Sequence, residues 1–259
     1  MRNDERMGAA RALLRWYVDA GVDEAVADAP VNRFEKKTET RRPSAPIAKI
    51  APSAQPTADE AVRLATDAAA RASTFEQLAA AVAAFEACPL KAGARNTVFA
   101  DGVPGAPLLV IGEAPGREED AAGKPFVGRA GRLLDKMLAA IGRSRAKDTL
   151  ISNVVYWRPP GNRAPTQAEI AICRPFVERL IELTAPKAVL LAGGVAAQAL
   201  LGSAGIMRTR GKWRDIELAS GGRVAALPMF HPAFLLRQPA QKRLAWNDLQ
   251  TLAARLRDA

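Results

Sequence analysis

The stretch LLVIGEAPGREEDAAGKPFVGRAG, residues 108–131, decides the fold. It opens with the apolar run Leu108-Leu109-Val110-Ile111, which reads as a buried strand. The run breaks at Gly112-Glu113-Ala114-Pro115-Gly116. After a charged, glycine-containing passage the chain reaches Lys124-Pro125-Phe126-Val127-Gly128, and a helix follows. A strand that ends in a glycine-rich loop before a helix places that loop at the carboxyl edge of a sheet, where open α/β sheets keep their ligand sites. The glycines let backbone N–H groups approach a ligand closely. Glu113 is the one ionisable side chain inside the Gly-Ala-Pro-Gly frame. A tight strand-to-helix turn with a solvated glutamate would leave the same pattern.

Downstream, the pattern alternates. A helix is expected near 129–142, with Leu133, Leu134, Met137, Leu138 and Ile141 as its apolar stripe. A strand follows at about 148–155, then the Pro- and Arg-rich loop from Trp157 to Arg163. Thr166 caps a helix at 167–184, with Glu169 in the capping-box position. A strand at 188–191, a helix near 195–201, a basic loop or hairpin at 207–217, a strand at 223–229 and a terminal helix at 240–257 complete the series. This rhythm predicts a three-layer α/β/α fold around a central, mainly parallel four-stranded sheet. Upstream, residues 9–20 place Leu13, Leu14, Tyr17 and Val18 on one helical face, so a helical N-terminal segment is expected over 1–34. Residues 35–58, with four prolines, read as a flexible linker. Residues 59–84 read as an Ala-rich helical lead-in, one long helix or two broken near Ser73-Thr74. The remaining 85–259 form the main domain.

The chain has 259 residues, 49% of them hydrophobic, enough to bury a sizeable core. No apolar run reaches the length of a membrane span. The opening MRNDERMGAARALLRWYV lacks the apolar centre of a signal peptide. With only two cysteines this favours a reducing, cytoplasmic setting. The net charge of +10 is unevenly placed: residues 1–85 carry 12 basic and 12 acidic side chains, residues 86–257 carry 25 and 14. The surplus lies in the part that holds the motif and suits a polyanion such as nucleic acid.

Three strand ends offer polar groups to one rim: Glu113 with the Gly112–Gly116 backbone, Asn153, and His231, the single histidine of the chain. An asparagine amide presents a donor and an acceptor side by side and can read a base edge, or it can satisfy a turn. Phe126 either stacks on a base as an exposed aromatic or anchors its loop to the core. Beyond His231, the run Pro232-Ala233-Phe234-Leu235-Leu236-Arg237 offers apolar residues for insertion into a base stack and Arg237 for a phosphate. Arg208, Arg210, Lys212 and Arg214 either line a nucleic-acid path or form a solvated hairpin. One histidine and two distant cysteines make no ordinary zinc site, so no metal is expected.

These segments together resemble the uracil-DNA glycosylase superfamily, and within it family 4. The residues that carry the resemblance are 112–116, 123–128, Asn153, Arg158-Pro159-Pro160, and His231-Pro232-Ala233 with Leu235-Leu236-Arg237. It spans about residues 85–257. The resemblance implies a monofunctional glycosylase that flips uracil out of DNA and hydrolyses its glycosidic bond. Glu113 would orient water or steady the sugar cation, Phe126 would stack on uracil, and Asn153 would bond its edge. His231 would donate to O2 of the departing base, and Leu235 would fill the gap in the helix. Alternatives are a lesion-capturing or non-catalytic DNA-binding protein, and a glycosylase for another deaminated base. A monomer acting on uracil-containing DNA is expected. Family 4 members hold a four-iron cluster on four cysteines. Here Cys88 and Cys173 match two of those positions, with Phe85 and Trp157 at the others. Two thiolates cannot replace four, so no cluster is expected.

Overall fold

A computed structural model describes residues 2–19, 56–202 and 205–257. The chain divides into two units, 1–51 and 52–259. In the first, helix α1 (Arg2–Asp19) covers the expected amphipathic segment, with Leu13, Leu14, Trp16 and Tyr17 exposed. The rest of the expected 1–34 segment, and the expected linker as far as residue 55, lie outside the described residues.

The second unit begins with α2 (Ala58–Arg71) and α3 (Phe75–Ala84). The break falls at Ser73-Thr74. The Thr74 side chain accepts the N–H of Gln77, so Gln77 rather than Glu76 completes the turn. Thr57 and Glu60 form a reciprocal capping box on α2. Ala61, Ala65, Ala69, Leu78 and Val82 are buried, and both helices pack on α6 (Gln167–Thr184). The lead-in thus shares the core of the domain that follows it.

Along the chain come β1 (Ala100–Gly102), β2 (Leu108–Gly112), α4 (Arg117–Ala122), α5 (Arg129–Ala139), β3 (Thr149–Asn153) and then α6. They are followed by β4 (Ala188–Ala192), α7 (Gly194–Leu201), α8 (Ile206–Thr209), β5 (Arg214–Glu217), β6 (Arg223–Met229), α9 (Pro232–Arg237) and α10 (Lys242–Arg257). The sheet has six strands in the order β1-β3-β2-β4-β6-β5. Its inner four, β3-β2-β4-β6, are parallel, as the sequence rhythm requires. The two short edge strands pair antiparallel and extend the four-stranded expectation. The basic segment 207–217 holds the end of α8 and the strand β5, and β5 pairs with β6 in a hairpin that runs beyond that segment.

Alternation along the strands assigns the layers. On β2, Leu109 and Ile111 face the core shared with α2, α3 and α6. Leu108 and Val110 face the opposite core, filled by Leu134 and Leu138 of α5 and Leu249 and Leu252 of α10. With both faces covered, parallel strands must be apolar throughout, and β2 and β4 are fully buried at every position.

Candidate active site

The parallel register puts the motif loops side by side. Gly112 at the end of β2 stands opposite Asn153 at the end of β3, and Ala192 of β4 opposite Met229 of β6, two residues before His231. The ladder continues one step past β2: the N–H groups of Val154 and Val155 donate to the carbonyls of Gly112 and Glu113, at 3.0 and 3.2 Å. That fixes the backbone from which Glu113 and Asn153 project. A Cβ on Gly112 would lie 2.5 Å from both the Asn153 Oδ1 and the Phe126 ring. Only glycine lets the amide and the ring close on that peptide.

A cavity of about 520 Å³ opens there. Glu113, Ala114, Pro115, Gly116, Phe126, Asn153, His231 and Arg237 all line it. A larger groove, about 910 Å³, lies along α2 and α3 and shares no lining residue with the motif loops. The smaller cavity is therefore the candidate site, because that is where polar groups converge.

His231 caps α9: its Nδ1 accepts the N–H of Ala233 at 3.1 Å. An imidazole nitrogen that accepts carries no proton, so in the neutral ring the proton sits on Nε2, which remains a donor. Burial first, then the positive charge of Arg237, lowers the His231 pKa to about 4, against a smaller opposing pull from Glu119. The ring is neutral at pH 7 and stacks on Phe126, centroids 5.6 Å apart at 30°. Burial raises the pKa of Glu113 above the ordinary carboxylate value.

Phe126 is 5% exposed and belongs to the core of the α5–α10 layer. The two options for it merge: the residue is packed in the core and also lines the cavity. It is buried, as the loop-anchor option has it, and not an exposed aromatic. Its φ of 54° is a left-handed conformation that a bulky side chain rarely adopts.

Sequence reasoning passed over Glu119. Its carboxylate accepts N–H groups from Gly116 (3.1 Å), Val127 (3.0 Å) and Gly128 (2.9 Å), tying the two motif loops together. A glutamate in an acidic run, Glu118-Glu119-Asp120, reads as solvated, and only the third dimension singles it out. Asn162 and Arg163 also line the cavity from the Pro-Arg loop. Arg163 is held by both oxygens of Glu169, at 2.8 and 2.6 Å.

Two residues sit elsewhere than expected. Leu235 is 1% exposed and packs in the core, whereas its neighbour Leu236 is 37% exposed. In the short α9 helix, residue 235 falls on the inward face and 236 on the outward one. Arg210 is turned inward: its Nε lies 2.9 Å from Asp248 and its guanidinium sits over the Phe230 ring. A buried carboxylate needs that partner, so Arg210 serves the fold. Lys212 and Arg237 are exposed, and only Arg237 of the two lines the cavity.

The positions that family 4 uses for an iron–sulfur cluster do meet in space. The Cys88 and Cys173 thiols are free, buried in the same core cluster and close enough to perturb each other's titration. The Phe85 and Trp157 rings stack at 6.5 Å, with Phe176 against Phe85 at 5.1 Å. The Trp157 indole N–H donates to Thr97 at 3.0 Å. Two thiols among packed aromatics do not fit a cluster that needs four thiolates, and no group of three or more metal-ligating side chains occurs among the described residues. No helix among those residues is long and apolar enough to cross a membrane.

Comparison with known proteins agrees with this geometry. The sequence model of the uracil DNA glycosylase superfamily matches residues 99–250. A type-4 uracil-DNA glycosylase of Thermotoga maritima is 37% identical over 166 residues, 63% of this chain and 85% of that protein. Type-4 enzymes of Pyrobaculum aerophilum and Archaeoglobus fulgidus are each 37% identical, over 62% and 64% of this chain and 84% of their own length. With the matched span covering more than half of its residues and all three motif strands, the chain belongs to the uracil DNA glycosylase superfamily.

Proposed function

We propose that this protein is a uracil-DNA glycosylase, a hydrolase of DNA repair, with residues 85–259 as its catalytic domain. The observation that carries the reading is the convergence of a neutral, Nε2-protonated His231 with Glu113, Asn153 and Phe126 in one cavity. In the reaction, the bond between sugar C1′ and base N1 breaks and its electron pair leaves with the base. Charge collects on the uracil oxygens while the sugar becomes cationic. The His231 Nε2–H donates to that growing anion and is worth most when the charge is fully formed. The Asn153 amide holds the pyrimidine edge, and the Phe126 ring covers its face. The Glu113 carboxylate steadies the sugar cation and directs water to C1′; the proton that the water loses as the new C–O bond forms ends on the departed uracil anion, which leaves as neutral uracil.

The base must first leave the duplex, at a cost of a few kcal/mol. Leu236 takes the role assigned to Leu235: it is the exposed apolar residue beside Arg237, placed to enter the vacated space. Arg237 and Lys212 meet phosphates. We read the protein as a monomer working in the cytoplasm and as free of an iron–sulfur cluster, the aromatic packing of Phe85 and Trp157 standing in its place.

The test is release of free uracil from uracil-containing single- and double-stranded DNA. Wild type releases it; His231→Ala and Glu113→Ala each lose about 10²–10³ in kcat. A protein that binds such DNA and releases no base, or forms an adduct that survives SDS, would show the lesion-capturing alternative instead.

A further inference from the structure

We propose that Arg145 is a positioning residue for base recognition, holding the backbone turn that presents Phe126 to the cavity. This rests on the reading of Phe126 as the ring that covers the base. Arg145 lies outside every motif, in the loop between α5 and β3, and does not line the cavity. Yet its guanidinium reaches the turn directly. One Nη donates to the Pro125 carbonyl at 3.0 Å and the other to the Phe126 carbonyl at 2.8 Å. The same group is braced from behind by Asp101 of β1 and Asp135 of α5, each at 2.9 Å.

The turn needs such a hold. A left-handed phenylalanine is disfavoured and persists only where its surroundings leave no alternative. Glu119 binds the N–H groups of Val127 and Gly128 on one side of the turn, and Arg145 binds the two preceding carbonyls on the other. Gly131 admits the closure, because a Cβ there would lie 1.7 Å from the Phe126 oxygen. The planar fork of arginine bridges two carbonyls and two carboxylates at once. A lysine ammonium, a single point of donation, cannot. Freed from Arg145, the Phe126 peptide relaxes and the ring loses its place against His231.

The experiment is a double-mutant cycle on uracil excision with Arg145→Lys, Phe126→Ala and the pair, beside binding to DNA that carries an abasic site and so has no base to cover. Arg145→Lys is expected to lower kcat/KM by about 10- to 100-fold. In the Phe126→Ala background the same change costs no more than about twofold, and affinity for abasic DNA stays within about twofold of wild type. If Arg145→Lys does not fold, Asp135→Asn, which touches the guanidinium but not the turn, gives a smaller loss that also vanishes in the Phe126→Ala background. Losses that multiply, or an equal loss of abasic-site binding, overturn the proposal. Full activity of Phe126→Ala overturns the reading of Phe126 and this proposal with it. A costly Phe126→Ala beside an active Arg145→Lys overturns this proposal alone.

Discussion

The chemistry assigned to His231 requires a neutral ring with its proton on Nε2, and the chain offers an unusually direct way to see it. With a pKa of about 4, roughly one imidazole in a thousand is cationic at pH 7; an ordinary histidine would be cationic in about a quarter of molecules. His231 is the only histidine in the sequence, so ¹⁵N-imidazole NMR of the intact protein reports on it without assignment. The spectrum should show an unprotonated Nδ1 and a protonated Nε2 from pH 8 down to about 5, with a midpoint near 4. The folded-state value lies below the unfolded one, so stability is fully present above about 6.5 and is lost as pH falls through 4, by up to about 3 kcal/mol from this group.

Activity should follow the same logic. Protonation of His231 plays no part near neutrality, so it does not lower kcat/KM there. The acid limb belongs to Glu113, whose carboxyl titrates above its ordinary value because it is buried. As pH falls through that value the carboxylate is protonated and no longer steadies the sugar cation. In Glu113→Gln the limb should disappear and the residual rate should be flat down to the titration of His231. A histidine midpoint near 6.5, or a proton resident on Nδ1, would refute the assignment of His231 as a fixed neutral donor.

Other expectations separate residues that look alike in sequence. Arg237→Ala should reduce the salt dependence of DNA binding by about one unit of log–log slope. Arg210→Met should leave that slope unchanged and lower stability by about 3–5 kcal/mol in urea unfolding, because Asp248 is left buried without its partner. Leu236→Ala should slow excision from duplex DNA far more than from single strands, whereas Leu235→Ala should lower stability by about 2–5 kcal/mol and treat the two substrates alike. The purified protein should show no iron in a colorimetric assay and no visible cluster band, and Trp157→Ala should cost about 3–5 kcal/mol of stability.

The layers of the fold were legible because hydrophobic alternation and helix caps are local. β2, β6 and α6 fall where the periodicity and the Thr166–Glu169 box place them, and the carboxyl-edge rule brought Glu113, Asn153 and His231 to one rim. What was illegible depends on direction rather than pattern. Leu235 and Leu236 are identical in kind and adjacent, and only the phase of a six-residue helix separates a core leucine from an exposed one. Arg210 and Lys212 look equally basic until Asp248, 38 residues on, claims the first. Glu119 and Arg145 work on backbone groups, and a backbone group has no letter in the sequence. The edge strands β1 and β5 are three and four residues long, too short for any period to declare itself.

The aromatic cluster joins the segments that a four-cysteine cluster would join. In a four-cysteine arrangement, ligands from the segment before β1, the loop after β3 and α6 are cross-linked through one inorganic core. Here the same three segments meet through Phe85, Trp157 and Phe176, with the Cys88–Cys173 contact beside them. Burying large rings supplies non-directional attraction in proportion to area, and the Trp157–Thr97 bond fixes the orientation that area alone leaves free. The loop that begins at Trp157 also carries Pro159, Asn162 and Arg163 to the cavity wall. Anchoring Trp157 therefore does more than fill space. It sets the starting point of the Pro-Arg loop, so the packing at Phe85 and Trp157 reaches the site through seven residues of continuous chain.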